Sequence, residues 1–296
     1  MKIINIIQIN YLRNGYDKGE ITEERYKEAE LKYNEANKVV SEEHFNADGS
    51  RNLLTVNQYD ETGKLLLQSE FYDADNEMVQ RTRYRYDEQG RMVEEMLCYG
   101  ENFPEYGSHY IYENNLLVRQ DAYDEDEFAY TEKTFEYQGI LMSKETDFTE
   151  DGEKQYLIEQ EFNEQGLLIK RIRHELLDKD RRTYVYEYDD RNNKVKELIL
   201  NYKGELIAKI YWVYNENNQV IEVEEEDLDH YKKLKYEYNG NLVSKVEEYN
   251  KEDKLQQWIA CHFDDVGNLL KSETYHFDEI DPETHRLVNE IRYEAV

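Results

Sequence analysis

The sequence predicts an all-β repeat protein: an elongated, twisted or spiralling antiparallel sheet of two-stranded units about 25 residues long, with an N-terminal capping helix. Three observations carry this reading. First, an aromatic residue, an Asp, Asn or Glu, a short turn and a pair of aliphatics recur along the chain. The anchors are Tyr59, Tyr86, Tyr112, Tyr137, Phe162, Tyr188, Tyr214, Tyr238 and Phe263, with gaps of 27, 26, 25, 25, 26, 26, 24 and 25. A fixed period of that size marks an array of stacked supersecondary units. Second, the segment before each anchor alternates, as in Thr82, Tyr84 and Tyr86 against Arg81, Arg83 and Arg85. Period two with one polar side describes a half-buried antiparallel strand. Third, residues 22–40 place Tyr26, Ala29, Tyr33, Ala36 and Val40 at 3-4 spacing, which predicts a helix.

The elements follow in order. The opening MKIINIIQINYLRNG reads as a strand ending at an Asn14-Gly15 turn, and lacks the cleavage pattern of a signal peptide. In the helix over 22–40, Thr22 serves as N-cap and Glu23 and Glu24 sit in the first turn, where the helix dipole favours them. Glu23–Lys27 and Glu28–Lys32 are i,i+4 pairs. This helix reads as a cap on the first hairpin or as a partner-binding element. The domains are therefore 1–44, strand and capping helix, and 45–296, the hairpin repeats. Secondary turn residues such as Phe45, Tyr72, Tyr99, Tyr123, Phe148, Tyr202, Tyr249 and Phe277 fall midway between anchors, so each unit holds two strands. Asn, Asp and Gly supply the positive φ that tight hairpin turns require. The residues two before each anchor (Tyr84, Tyr110, Phe135, Gln160, Tyr186, Trp212, Tyr236, Cys261) form a ladder face opposite a charged face. Nine units of two strands at about 4.8 Å make an open ribbon on the order of 85 Å long.

Composition narrows the function. The chain carries 37 Lys and Arg against 67 Asp and Glu, a formal charge of −30. Such a surface repels phosphate backbones and anionic lipid, so neither nucleic acid nor membrane is an expected partner, and a basic protein is. With 28 tyrosines and two prolines, the strongly hydrophilic chain is unlike a disordered one. Cys98 and Cys261 do not make a disulfide framework and fit a reducing, cytoplasmic location. No stretch reaches the ~18 apolar residues that a membrane-spanning helix needs.

At RYRYDEQGRMVEE (Arg83–Glu95) the chain resembles the YD-repeat or RHS-repeat family, and degenerate copies extend the resemblance over about residues 45–278. The resemblance implies a spiralling antiparallel sheet. In large RHS proteins such strips wind into a shell around a toxin; the 18 or so strands expected here are too few for a closed container. As a small, acidic member the chain is similar to repeat-type immunity proteins encoded beside secreted bacterial toxins.

No catalytic motif is present: no G-x-S-x-G, H-E-x-x-H, P-loop or Rossmann glycines, and no paired C-x-x-C. The expectation is a non-enzyme with no catalytic, cofactor or metal residues. The seven histidines include no ligand-spaced pair, and Cys261 and His262, as strand neighbours, face opposite sides. Two acidic runs stand out, Asp121–Glu127 and Glu222–Asp229. They read either as solvated charge that blocks edge-to-edge aggregation or as docking sites for a basic partner. The candidate partner-binding residues are Asp124, Glu125, Asp126 and Glu127 in one run, and Glu224, Glu225, Glu226 and Asp227 in the other. The leading expectation is a monomeric, cytoplasmic immunity protein that occludes a basic toxin domain. The alternatives are a structural RHS-like scaffold and a cell-envelope carbohydrate-binding ribbon using exposed aromatic ladders.

Overall fold

The computed structural model describes residues 2–13, 21–100, 106–124, 127–277 and 285–295; the predicted Asn14-Gly15 turn lies outside them. The chain folds as β1 (Lys2–Arg13), β2 (Ile21–Tyr33), β3 (Val39–Phe45), β4 (Arg51–Tyr59), β5 (Leu66–Tyr72), β6 (Met78–Tyr86), β7 (Met92–Tyr99) and β8 (Tyr106–Glu113). Next come β9 (Leu116–Asp124), β10 (Glu127–Gln138), β11 (Leu141–Phe148), β12 (Lys154–Phe162), β13 (Leu168–Glu175), β14 (Asp180–Tyr188) and β15 (Lys194–Leu200). The last seven are β16 (Leu206–Tyr214), β17 (Val220–Asp227), β18 (Tyr231–Asn239), β19 (Leu242–Tyr249), β20 (Leu255–Phe263), β21 (Leu269–Phe277) and β22 (His285–Ala295). All 22 belong to one sheet, and no helix occurs among the described residues.

Two features of the predicted fold are corrected. The sheet is not an open or spiralling strip, because β1 pairs antiparallel with both β2 and β22. The hydrogen-bond order closes there, with a barrel-type connectivity in place of two free terminal strands. Closure of this kind removes the exposed edges that an open ribbon leaves. The count of 18 strands fell short because β1, β2, β3 and β22 were not read as part of the array.

The second correction is the capping helix, which does not exist. Residues 21–33 are β2, hydrogen-bonded to β1 on one side and to β3 on the other. The 3-4 spacing was counterfeited by two interruptions of a period-two pattern. A bulge sets Ile6 opposite Ala29 and Ile7 opposite Lys27, leaving Glu28 as the extra residue. A five-residue turn then separates Tyr33 from Val39. The helical i,i+4 pairs are worth only about 0.2–0.5 kcal/mol each. Pairing with β1 instead buries Ala29 completely and gives the isoleucine-rich first strand its cross-strand partners. Glu30 is held by Lys27 and Lys32 at 2.9 and 3.1 Å, in place of the expected Glu23–Lys27 and Glu28–Lys32 pairs.

That five-residue turn is a tenth copy of the repeat. Tyr33 precedes Tyr59 by 26 residues, and Asn34 accepts from the Lys38 amide at 2.9 Å while Asn37 takes φ 59°. Ten hairpins, β2–β3 through β20–β21, thus form the array, and β22 with β1 completes an eleventh pair in which the chain termini occupy the turn position.

Each anchor has a structural task. The phenols of Tyr59, Tyr112, Tyr137, Tyr188 and Tyr214 donate to the backbone carbonyls of Val39, Met92, Leu117, Leu168 and Lys194, at 2.8–3.0 Å. The partner is 20 residues earlier in every case, so each phenol ties its hairpin to the preceding one. The acidic residue after the anchor caps the turn: Asp189 accepts from the amides of Arg191 and Asn193 at 2.9 and 2.8 Å. Its carboxyl is held below the usual range, first by the Asn193 side-chain amide and then by backbone amides. Asn192 supplies the left-handed residue at φ 63° that Gly90 supplies elsewhere at φ 77°.

The chain divides into two compact units, Met1–Arg83 with Tyr99–Asn102 and Lys233–Val296, and Tyr84–Cys98 with Phe103–Lys232. The first contains the closure. There Ile9 is 1% exposed opposite Arg25 and Glu290. The buried Glu290 carboxylate takes hydrogen bonds from Arg292 and Tyr11, and Asn289 donates to Asn10 at 2.9 Å. The second unit carries both acidic runs.

Candidate partner-binding site

The second unit has two ends with different character. Its even-to-odd turns, which follow the anchors, are uniformly tight. The odd-to-even connections are more varied, and both acidic runs lie at that end, at the β9–β10 and β17–β18 connections.

In the second run, Glu226 lies opposite Lys209 on β16 and pairs with it at 2.7 Å. That hydrogen bond raises the Lys209 ammonium above its ordinary range. Asp227 caps the β17–β18 turn, accepting from the amides of Asp229 and His230 at 2.8 and 2.7 Å, bonds that hold its carboxyl below the usual range. Glu224 lies opposite Tyr211, and Glu225 opposite Ile210. Glu225 is exposed and has no hydrogen-bond or ion-pair partner among the described residues. Beside it opens a cavity of about 220 Å³, with Ala208 and Ile210 as apolar lining, Glu225, Glu226 and Asp227 as acids, and Lys209, His230 and Lys232 as the basic side chains. Three of the four predicted residues thus line one concavity, two of them already engaged and one free, while Glu224 points to the other side of the sheet from Glu225.

In the first run, Asp124 is exposed at the end of β9 and Glu127 opens β10; Glu125 and Asp126 lie outside the described residues. The runs do not converge. Seven strand spacings separate β10 from β17, roughly 34 Å along the sheet.

Sequence reasoning missed three features here. Asp121, the first residue of that run, is 2% exposed; Arg119 pairs with one of its oxygens at 2.9 Å and the other has no hydrogen-bond partner among the described residues. It lies opposite His109, which pairs with Glu94 at 2.9 Å and stacks on Tyr123 with centroids 3.8 Å apart. On the ladder face, Tyr110 donates to Glu95 at 3.1 Å, and Gln120 and Ser108 donate to Glu132 at 2.6 and 3.2 Å. Burial and then Glu95 push the Tyr110 phenol well up. The third feature is apolar. Phe128 and Leu228, one in or beside each run, are exposed, Leu228 by 78%. The signal was a single large apolar residue within acidic sequence.

The two faces follow the repeat. On the charged face Glu136–Lys144, Glu161–Lys170 and Glu187–Lys196 are direct cross-strand ion pairs at 2.6–2.8 Å. On the ladder face the aromatics are not adjacent; Lys194 bridges Tyr186 and Trp212, its ammonium 5.5 and 4.1 Å from the two rings. Among the described residues no group of three or more His, Cys, Asp or Glu is placed to hold a metal ion. Both cysteines are free, and burial pushes the Cys261 thiol up.

The class that fold and site define is an all-β hairpin-repeat protein. No family model and no curated protein matches the chain. Its fold is similar to the crystal structure of TcdB2-TccC3-TEV, with 13% identity over 83% of this chain and 15% of that chain at a TM-score of 0.37. A porin-like protein from Bacteroides uniformis is matched at 9% identity over 83% of this chain and 97% of that one, also at 0.37. The Tc holotoxin pore of Photorhabdus luminescens is matched at 9% identity over 96% and 23%, at 0.19. The chain therefore spans 15% of the first of these, and similarity at these TM-scores does not define a shared function.

Proposed function

We propose that this chain is a non-enzymatic protein-binding protein that occludes a basic partner. The observation that supports it is the end of β16–β18, where the free carboxylate of Glu225 stands beside an open cavity on a chain of charge −30. Acidic surface of this kind speeds encounter with a cationic partner and selects against anionic ones. The YD-repeat resemblance supplies the finer reading: an immunity protein that acts in the cytoplasm, as a monomer, on a secreted toxin domain. Expression beside the toxin encoded at the same locus tests this. Restored growth together with a co-purifying complex is the expected result, and no rescue with no complex overturns it.

Two observations weigh against the alternatives. Pairing of β1 with β22 leaves neither terminal strand free to polymerise, as a strand-added scaffold requires. Trp258 and Tyr275, a candidate sugar platform, stack on each other at 3.8 Å and 7°, so each ring occupies a face of the other.

A further inference from the structure

The exposed large apolar side chains of the second unit are not scattered. Of the nine among its described residues, seven lie at the odd-to-even end; Ile140 and Val213 are the exceptions. Five of the seven fall on consecutive connections: Leu176 and Leu177 between β13 and β14, Tyr202 and Leu206 around the β15–β16 turn, and Leu228 between β17 and β18. They span five strand spacings, roughly 24 Å along the sheet. A contiguous apolar stripe rimmed by charge marks an interaction surface, whereas single exposed apolar residues do not.

The turn chemistry does not require the largest of these, Tyr202. The odd-to-even turns that close with the same hydrogen bonds carry Ala47, Ala74, Glu150 and Lys251 where this end carries Tyr202. Tyr202 therefore costs solvation without serving the hairpin, and Leu177 and Leu228 are exposed beside it at the same end.

We propose that this rim is the docking surface for a basic protein segment that presents apolar side chains between its cations, a proposal that rests on the protein-binding reading above and locates it. Charge selects this occupant. A second copy brings another −30, and an anionic membrane brings the same sign. A cationic segment gains from Glu225 and from the acidic turn Glu150, Asp151 and Glu153 at the same end. The cavity, where Glu225, Glu226 and Asp227 outnumber Lys209 and Lys232, receives one Lys or Arg whose stem lies along Ala208 and Ile210 and whose head reaches Glu225. Tyr202 and Leu228 supply the apolar contacts, and Tyr202 is of the residue type that often dominates binding energy when surrounded by a polar rim.

The test uses the full chain, a fluorescent amphipathic helical Lys/Leu peptide, and an oligolysine of equal charge, read by anisotropy. The wild type is expected to prefer the amphipathic peptide by about tenfold or more. The triple variant Leu177→Ser, Tyr202→Ser, Leu228→Ser is expected to erase that preference, and Ile140→Ser with Val213→Ser at the opposite end to preserve it. All five side chains are exposed, and circular dichroism checks that each variant folds. Equal binding of the two peptides, or a triple variant that still discriminates, overturns the proposal. So does self-association or vesicle binding by the wild type that the triple variant loses, since the occupant is then a second copy or lipid. Growth rescue separates the two levels. If the triple variant still rescues, the surface is wrong and the immunity reading stands. If the wild type fails to rescue but the peptide results hold, the surface stands and the immunity reading falls.

Discussion

Tyr188→Phe isolates the contact that ties one hairpin to the next. The substitution removes a hydroxyl and leaves the ring, so the aromatic packing is kept. What is lost is the hydrogen bond from the phenol to the Leu168 carbonyl at 2.8 Å. A net intramolecular hydrogen bond is worth about 1 kcal/mol, and a buried acceptor left without a donor costs about 1–3 kcal/mol. The anchor is half-buried, and burial raises its phenol above the ordinary range, so the expected loss is about 1 kcal/mol. For a chain of this length that corresponds to a drop in Tm of about 2 °C. Urea unfolding followed by circular dichroism reads it directly. The repeat supplies the reciprocal experiment: Phe162 is an anchor with no hydroxyl, and the residue 20 positions earlier is Met142. Phe162→Tyr is expected to stabilise by up to about 1 kcal/mol by supplying the missing donor. The five Tyr→Phe changes sit in separate hairpins and should add to about 5 kcal/mol in combination. A Tyr188→Phe protein with an unchanged midpoint, or a Phe162→Tyr protein that is destabilised, refutes the reasoning.

Three further outcomes are expected. Gly107→Ala destabilises by about 3 kcal/mol or more, because an added Cβ meets the Glu95 carbonyl oxygen at 1.9 Å and the backbone of β7 must move; thermal unfolding measures it. Ile9→Ala costs about 2–5 kcal/mol, whereas Leu12→Ala on the same strand, half exposed, stays within about 0.5 kcal/mol; urea midpoints compare the two. The third concerns alkaline pH. Burial first, and then Glu197 or Glu247, push the phenols of Tyr186 and Tyr249 up to about 12 from their ordinary value of 10.0. A phenol raised in the folded state contributes stability that is whole below pH 10.0 and is lost as pH rises toward 12, where only the unfolded chain ionises freely. Absorbance of phenolate should therefore rise in two phases, the second coinciding with loss of the β-sheet circular dichroism signal, and a single phase with the sheet intact contradicts it.

Much of the hairpin array is legible in the sequence, because anchor, cap and left-handed residue are local. Tyr188, Asp189 and Asn192 lie within five positions and make a turn without reference to the rest of the chain. The first copy is not legible in the same way. Tyr33, Asn34 and Asn37 obey the period, but a bulge at Glu28 shifts the alternation before them until it imitates a helix. The closure is invisible to any local reading, since Asn10 and Asn289 meet across 279 residues and neither carries a turn signal. At the candidate site the acidic runs are obvious as sequence. That Glu226 is neutralised by Lys209, that Asp227 is a turn cap and that Glu225 is free depends on strand register. The apolar rim depends on which connections share an end of the sheet, a property of the whole array that no single turn reveals.

Hydrogen exchange of the full chain with and without the amphipathic Lys/Leu peptide tests the central claim most directly. The account predicts new protection at residues 176–179, 201–206 and 227–230, and none at the even-to-odd turns 139–140, 163–167 and 189–193. Protection concentrated at those even-to-odd turns, or spread evenly over both ends as diffuse charge attraction would give, contradicts it.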